Sequence, residues 1–271
     1  MPFNQSLQGE PTHRPDVAIP LNRHRRGINL PICQKTNKLR PNECKNSPAR
    51  EFLMAYVTEA NLKRKAEKWS RLMVKYNTHR LKLDSRRAAL LVIDMQNFFL
   101  KPKSPTYTEG GTAILPTVKS LIGAFRKSGR PVIYTTHVHA ADASDAGIMK
   151  WWWEGMCVEG TEEAGIHPLI APLPKEKVVK KHRYSAFYDT DLETILRCQK
   201  IKDLVITGIM TNMCCESTAR DAYYRDYRVF FLLDATGSVS EEFHLATLKN
   251  LAYGFAYVTT AAEILRSLKG K

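Results

Sequence analysis

Three stretches carry residues whose types and spacing could do chemistry. In LLVIDMQNFF an apolar run ends in Asp94, with Gln96 and Asn97 directly after it. A carboxylate there is either a turn cap or a base that takes a proton from a reacting group. In KVVKKHRYSAFYDTDLETIL a run ends in Lys180 and Lys181, and Ser185, Phe187 and Thr190 lead on into a helical pattern. A lysine there is solvated charge unless a thiol and a carboxylate share its site, when it would favour the thiolate. In VITGIMTNMCCESTARDAYYRDY an apolar run meets Gly208, then a tight turn, then a helix with Cys214 at or just before its N-terminus. Free backbone N–H groups and the helix dipole at that position predict a thiol pKa lowered from about 8.5 toward neutrality. The same N–H groups could hold an oxyanion. Strand, turn, nucleophile and helix in this order are what a covalent hydrolase needs. Cys215, one residue on, is expected to be a small buried hydrophobe.

Side chains so far apart in the chain need a scaffold that brings them together. Apolar runs at 88–93, 131–135, 177–180, 203–207, 228–233 and 255–258 alternate with helical patterns near 112–128, 189–199, 215–226, 241–253 and 260–269. Continuously apolar strands separated by helices predict βαβ units and a sheet covered on both faces. The expected fold is a three-layer α/β/α, Rossmann-like domain with six mainly parallel strands. In such sheets the chemistry sits beyond the carboxyl ends of the strands. Asp94, the Lys180–Lys181 pair and Cys214 all end or come after such runs. There is no internal repeat and no glycine-rich phosphate loop.

The chain has 271 residues, 44% hydrophobic and 25% charged, which is ordinary for a globular protein and excludes collagen-like and wholly disordered classes. Its net charge of +14 invites a nucleic-acid reading. Residues 1–87 hold 19 Lys and Arg against 7 Asp and Glu; the remainder holds 22 against 20. The basicity therefore belongs to the N-terminal third, and a nucleic-acid partner is not expected for the main domain. Residues 1–53 carry seven of the fourteen prolines and no period, so a flexible tail is expected, or an extension ahead of a start at Met54. Residues 54–84 are expected as a basic amphipathic helical segment, with the helix over 54–77, Leu62, Ala66, Trp69 and Met73 on one stripe and Thr58 as a candidate N-cap. Residues 85–271 form the main domain. No window approaches 18 uninterrupted apolar residues, and no apolar leader opens the chain, so no membrane partner is expected. Cys33, Cys44, Cys157, Cys198, Cys214 and Cys215 form no CxxC pair, which suits thiols of a reducing, cytoplasmic compartment.

DMQNFF, KHRYSAF and TNMCCESTARDA, in this order, resemble the isochorismatase-like cysteine hydrolase superfamily, over about residues 85–268. That superfamily includes nicotinamidases, N-carbamoylsarcosine and ureidoacrylate amidohydrolases, and isochorismatase. The resemblance implies a catalytic triad of Asp94, Lys181 and Cys214. Lys181 is chosen over Lys180 because the family's lysine stands two before the arginine of RYS, here Arg183. Cys214 is chosen over Cys215 because the family's nucleophile stands two after the asparagine of TN, here Asn212. It further implies a cis peptide at Ile209–Met210 and an oxyanion hole made by the Met210 and Cys214 N–H groups. Gln96, Phe99, His137, Trp152, Tyr184 and Phe187 are the candidate pocket residues. The tryptophan comes from Trp151–Trp152–Trp153, three adjacent indoles that cannot all face one core.

Departures from the family pattern also matter. Nicotinamidases bind a metal through Asp-x-His, whereas here THVHAAD has His137 and His139 without that aspartate, so no metal and no cofactor are expected. KHRYSAF and EEFHLATLKNLA look most like isochorismatase itself, but true isochorismatases lack the cysteine. The expected activity is therefore hydrolysis of a C–N bond in a small amide, ureide or carbamoyl compound, through a thioester. The alternatives are vinyl-ether hydrolysis of the isochorismatase type and a non-enzymatic binding protein with a basic arm. A homo-oligomer, dimer or tetramer, is implied by the relatives.

Overall fold

The computed structural model describes residues 55–104, 106–153 and 155–269. The expected tail, residues 1–53, lies outside the described residues. Six strands form one sheet: β1 (Ala88–Ile93), β2 (Val132–His137), β3 (Lys177–Lys181), β4 (Asp203–Ile209), β5 (Arg228–Gly237) and β6 (Tyr257–Thr259). Their order is β3-β2-β1-β4-β5-β6, and every neighbouring pair is parallel. Every residue of β1 and β4 is buried, so both faces of the central strands are covered. This explains why the central strands read as unbroken apolar runs and not as alternating ones. Strands β2, β4 and β5 run two to four residues beyond their apolar runs, to His137, Ile209 and Gly237. Backbone pairing continues there through polar and glycine residues, which hydropathy does not register.

The helices are α1 (Glu59–Met73), α2 (Asn97–Leu100), α3 (Glu109–Lys127), α4 (Ile148–Trp152), α5 (Leu192–Cys198), α6 (Glu216–Tyr224), α7 (Glu241–Gly254) and α8 (Ala261–Lys269). The short α2 and α4 escape a search for helical periods because neither completes two turns. In α1, Thr58 accepts the Asn61 N–H and Asn61 returns the bond, a reciprocal cap at the helix start. Leu62, Ala66, Trp69 and Met73 are buried, while Lys63, Arg64, Lys68 and Arg71 face solvent. Burial of each larger apolar side chain is worth about 1.5–3 kcal/mol. The helix is shorter than expected, Glu59–Met73 against 54–77 within the 54–84 segment. After Met73 the Tyr76 and Asn77 N–H groups turn back onto the Met73 carbonyl. Asn77 then pairs its side-chain amide with both backbone groups of Val258 in β6, which diverts the chain along the sheet edge.

The strand order reverses direction between β1 and β4, and ligands of open parallel sheets bind at such a switch point. Gly208 shapes this place. Its φ is +114°, and a Cβ there would lie 2.0 Å from the Ile93 carbonyl oxygen. Only glycine lets β4 approach the last residue of β1 so closely.

Candidate active site

The carboxyl ends of four adjacent strands converge on one buried cluster. Asp94 follows β1 directly, with a positive φ of 48°. Non-glycine residues rarely hold that conformation, and Asp is among the few that tolerate it. Thr135 of β2 fixes the side chain from both ends, accepting the Asp94 N–H at 3.1 Å and donating its hydroxyl to Oδ1 at 2.6 Å. Lys181 ends β3, across β2 from Asp94, in register with His137. Its Nζ lies 2.8 Å from Asp94 Oδ2, 3.3 Å from Cys214 Sγ, 3.2 Å from His137 Nδ1 and 3.0 Å from the Arg183 carbonyl. Asp94 and Lys181 are completely buried and Cys214 is 5% exposed.

The electrostatics follow from this burial. Desolvation works against the charge on Lys181, but the Asp94 carboxylate beside it outweighs this and holds its pKa above the ordinary lysine value. His137 must accept from the ammonium through Nδ1, because a lysine offers only donors. Burial and then the Lys181 charge lower the His137 pKa to about 2, so the ring is neutral. Asp94 Oδ2 meets the ammonium as an ion-pair contact at 2.8 Å. No well-aligned hydrogen bond reaches this oxygen among the described residues, so a lone pair remains open to a proton.

The cysteine sits differently from the sequence expectation. Residues Thr211–Cys215 form a π-helical turn that runs straight into α6, so Cys214 is not at an open helix start. Burial pushes its thiol up, Lys181 draws it down and Asp94 adds to the rise; the net shift is upward, not toward neutrality. The resting site is therefore a neutral thiol beside an Asp94–Lys181 ion pair. Cys215 is fully buried in the core. The Ile209–Met210 peptide is cis. The Met210 N–H has no acceptor among the described residues.

The candidate pocket residues fall into two groups. His137 and Tyr184 border the cluster: their rings are 6.4 Å apart, and the Cys214 sulfur and Lys181 charge both act on the Tyr184 hydroxyl. Gln96 is occupied by the scaffold. Its amide accepts the His137 N–H and donates to the Ala164 and His137 carbonyls. Phe99 packs edge-on against Phe98, and Phe187 packs against Tyr227 under the Arg225 guanidinium. Trp152 is corrected by the structure: it is 63% exposed, and it is Trp153 whose indole N–H donates to the Tyr184 hydroxyl at 2.8 Å. Trp153 lies just past the end of α4, where the chain turns inward.

The model of the isochorismatase domain matches residues 88–263, more than half of the chain. The chain belongs to the isochorismatase family. It is 40% identical over 199 residues to nicotinamidase 3 of Arabidopsis thaliana, covering 72% of this chain and 96% of that one. Among solved structures it resembles a cysteine hydrolase of Pseudomonas syringae, with a TM-score of 0.68 and 31% identity over 70% of this chain and 96% of that one. It also resembles the N-carbamoylsarcosine amidase of Thermoplasma acidophilum, with a TM-score of 0.56 and 31% identity over 65% of this chain and 96% of the other. The six-stranded parallel fold is that of these family structures.

Among the described residues, two groups of side chains have metal-ligand chemistry. Asp94, His137 and Cys214 offer atoms within 4.8 Å of one another, but the Lys181 ammonium already sits among them as their cation. His139, Asp145 and His182 form a second group within the same span. His139 Nδ1 is 3.1 Å and His182 Nδ1 3.2 Å from the Asp145 carboxylate. Asp145 and His182 were not among the sequence candidates, and neither was Thr135. The β2–β3 register could have found His182, which follows the partner of His137. No local spacing marks Asp145, six residues beyond His139 on a loop.

Proposed function

We propose that this protein hydrolyses a C–N bond in a small amide, ureide or carbamoyl compound through a thioester on Cys214. The observation that carries the reading is the Lys181 ammonium held 2.8 Å from Asp94 and 3.3 Å from Cys214 in a buried site. The names of the nicotinamidase and N-carbamoylsarcosine amidase relatives support the substrate class.

The reaction starts from the neutral thiol. Cys214 Sγ attacks the carbonyl carbon while its proton passes to Asp94 Oδ2, the acceptor without a hydrogen bond. The carbonyl oxygen becomes an oxyanion, which we assign to the Met210 and Cys214 N–H groups. Asp94 returns the proton to the nitrogen, the C–N bond breaks, and ammonia or an amine leaves. A water then attacks the thioester as Asp94 takes its proton. The C–S bond breaks, the proton goes to sulfur, and a carboxylic acid leaves. Lys181 keeps its charge throughout and holds Asp94 and the sulfur in one field. Free thiol chemistry suits a reducing, cytoplasmic setting. The exposed Ile148, Trp151 and Trp152 on α4 support assembly into a dimer or tetramer.

The test is ammonia release from nicotinamide, N-carbamoylsarcosine and a panel of small ureides, with pyruvate release from isochorismate run alongside. Cys214→Ala is expected to lose all turnover while keeping its fold. A Cys214→Ala protein that still released pyruvate from isochorismate would replace this reading with vinyl-ether hydrolysis, in which protonation of carbon needs no thiol.

A further inference from the structure

We infer that the N-terminal segment ahead of the family domain is a positioning element for the nucleophile turn. It would act through two side-chain chains that end on Thr211 and Asn212. The inference rests on the thioester reading above. Tyr56 and α1 precede residue 88, where the family match begins. They nevertheless reach into the site's support.

The first chain starts at Trp69. Its buried indole lies 4.6 Å from the His244 ring, and its N–H donates to Glu241 at 2.8 Å. Lys65 of the same helix pairs with the other oxygen of Glu241 at 2.6 Å. His244, fully buried on α7, has Nε2 3.1 Å from the Leu233 carbonyl. A carbonyl only accepts, so the ring proton is on Nε2, and Nδ1 accepts the Thr211 hydroxyl at 3.0 Å. The second chain starts at Tyr56. Its hydroxyl accepts the Ser238 N–H at 2.9 Å, and the Ser238 hydroxyl donates to the Asn212 amide oxygen at 2.7 Å. Gly110 makes room for this contact, since a Cβ there would lie 2.8 Å from the Tyr56 hydroxyl. The Tyr56 ring closes the cluster, 6.3 Å from Trp69 and 6.2 Å from His244.

Thr211 and Asn212 lie between Met210 and Cys214, the two residues assigned to the oxyanion. A rotation at either changes the separation and aim of those two N–H groups. Donors of this kind stabilise the transition state only when they point at the developing charge, and small misplacements are costly. Tyr56 and Trp69 touch no reacting atom; they act through Ser238, His244 and the turn.

The experiment uses the full chain and p-nitrophenyl acetate as a general acyl donor, read as nitrophenolate released above the rate of the Cys214→Ala protein. Tyr56→Phe removes one hydroxyl, and Trp69→Leu removes the ring. Both are expected to lower kcat about 10- to 100-fold with KM changed less than about 3-fold. Trp69→Phe, which keeps a ring against His244, is expected to fall between. Asn77→Ala, which releases the same segment from Val258, a contact outside both chains, is the control: Tm falls and kcat is kept. The inference is overturned if Tyr56→Phe keeps full kcat, a result that stands even if Trp69→Leu fails to fold. It is also overturned if Asn77→Ala loses kcat as much as Tyr56→Phe for the same loss of Tm. A Cys214→Ala protein as fast as the unmodified one would instead overturn the thioester reading.

Discussion

Lys181 is the residue on which the candidate site turns, because one ammonium touches the Asp94 carboxylate, the Cys214 thiol and His137 at once. Removing one partner of a buried ion pair strands the other, at a cost of about 3–5 kcal/mol. Lys181→Met should therefore lower the urea midpoint by that equivalent and reduce turnover more than 100-fold. Lys180→Met should do neither, since Lys180 is exposed and pairs with Glu159 on the surface. An inactive Lys180→Met beside an active Lys181→Met would reverse the assignment. Motif order is enough to select Asp94, Lys181 and Cys214 as a set. The thiol's environment is not legible in that way. Spacing puts Cys214 near a helix start, whereas its burial, which decides the direction of its pKa, comes from α6, the π-helical turn and the strand ends packing together. Adjacent indoles pose a similar difficulty: which one turns inward depends on where α4 stops, and that makes Trp153 the partner of Tyr184.

At the level of elements, strand ends bring residues 94, 181 and 214 together through the order β3-β2-β1-β4. Gly208 is the joint where β1 and β4 close up. Gly208→Ala would place a methyl 2.0 Å from the Ile93 carbonyl oxygen at a φ of +114°. The expected loss is about 3 kcal/mol or more, read by urea denaturation, with turnover falling as Asp94 and the turn separate. An alanine variant of native stability and activity would show that this approach is not needed. The strands are legible in the sequence because burial on both faces leaves unbroken apolar runs. The π-helical turn is not, because five residues of mixed polarity carry no period. The contact of α1 with Glu241 and His244 is equally hidden, since its partners lie more than 170 residues away and only its apolar stripe signals that it packs somewhere.

Over the whole molecule, buried histidines set the response to acid. Burial lowers His244 from 6.5 to about 4, and burial with the Lys181 charge lowers His137 to about 2. Between pH 6.5 and 4 the unfolded chain binds protons there that the folded chain refuses. Their contribution is complete above 6.5 and is lost as pH falls, by about 1.4 kcal/mol per pH unit for each group. Asp234 works the other way. Burial raises it from 3.8 to about 6, so its contribution is lost as pH rises through that range and cancels roughly one histidine. Tm should therefore fall as pH drops from about 6.5 to about 4.5; a flat or rising Tm would contradict the neutral burial of these rings. The chemistry itself is tested most directly by acid-quenching the enzyme during turnover of an amide and weighing it intact. Thioester chemistry predicts an added acyl mass that maps to the peptide containing Cys214 and is absent from Cys214→Ala. Full turnover by Cys214→Ala, with no acyl group on the thiol of the unmodified enzyme, would contradict it.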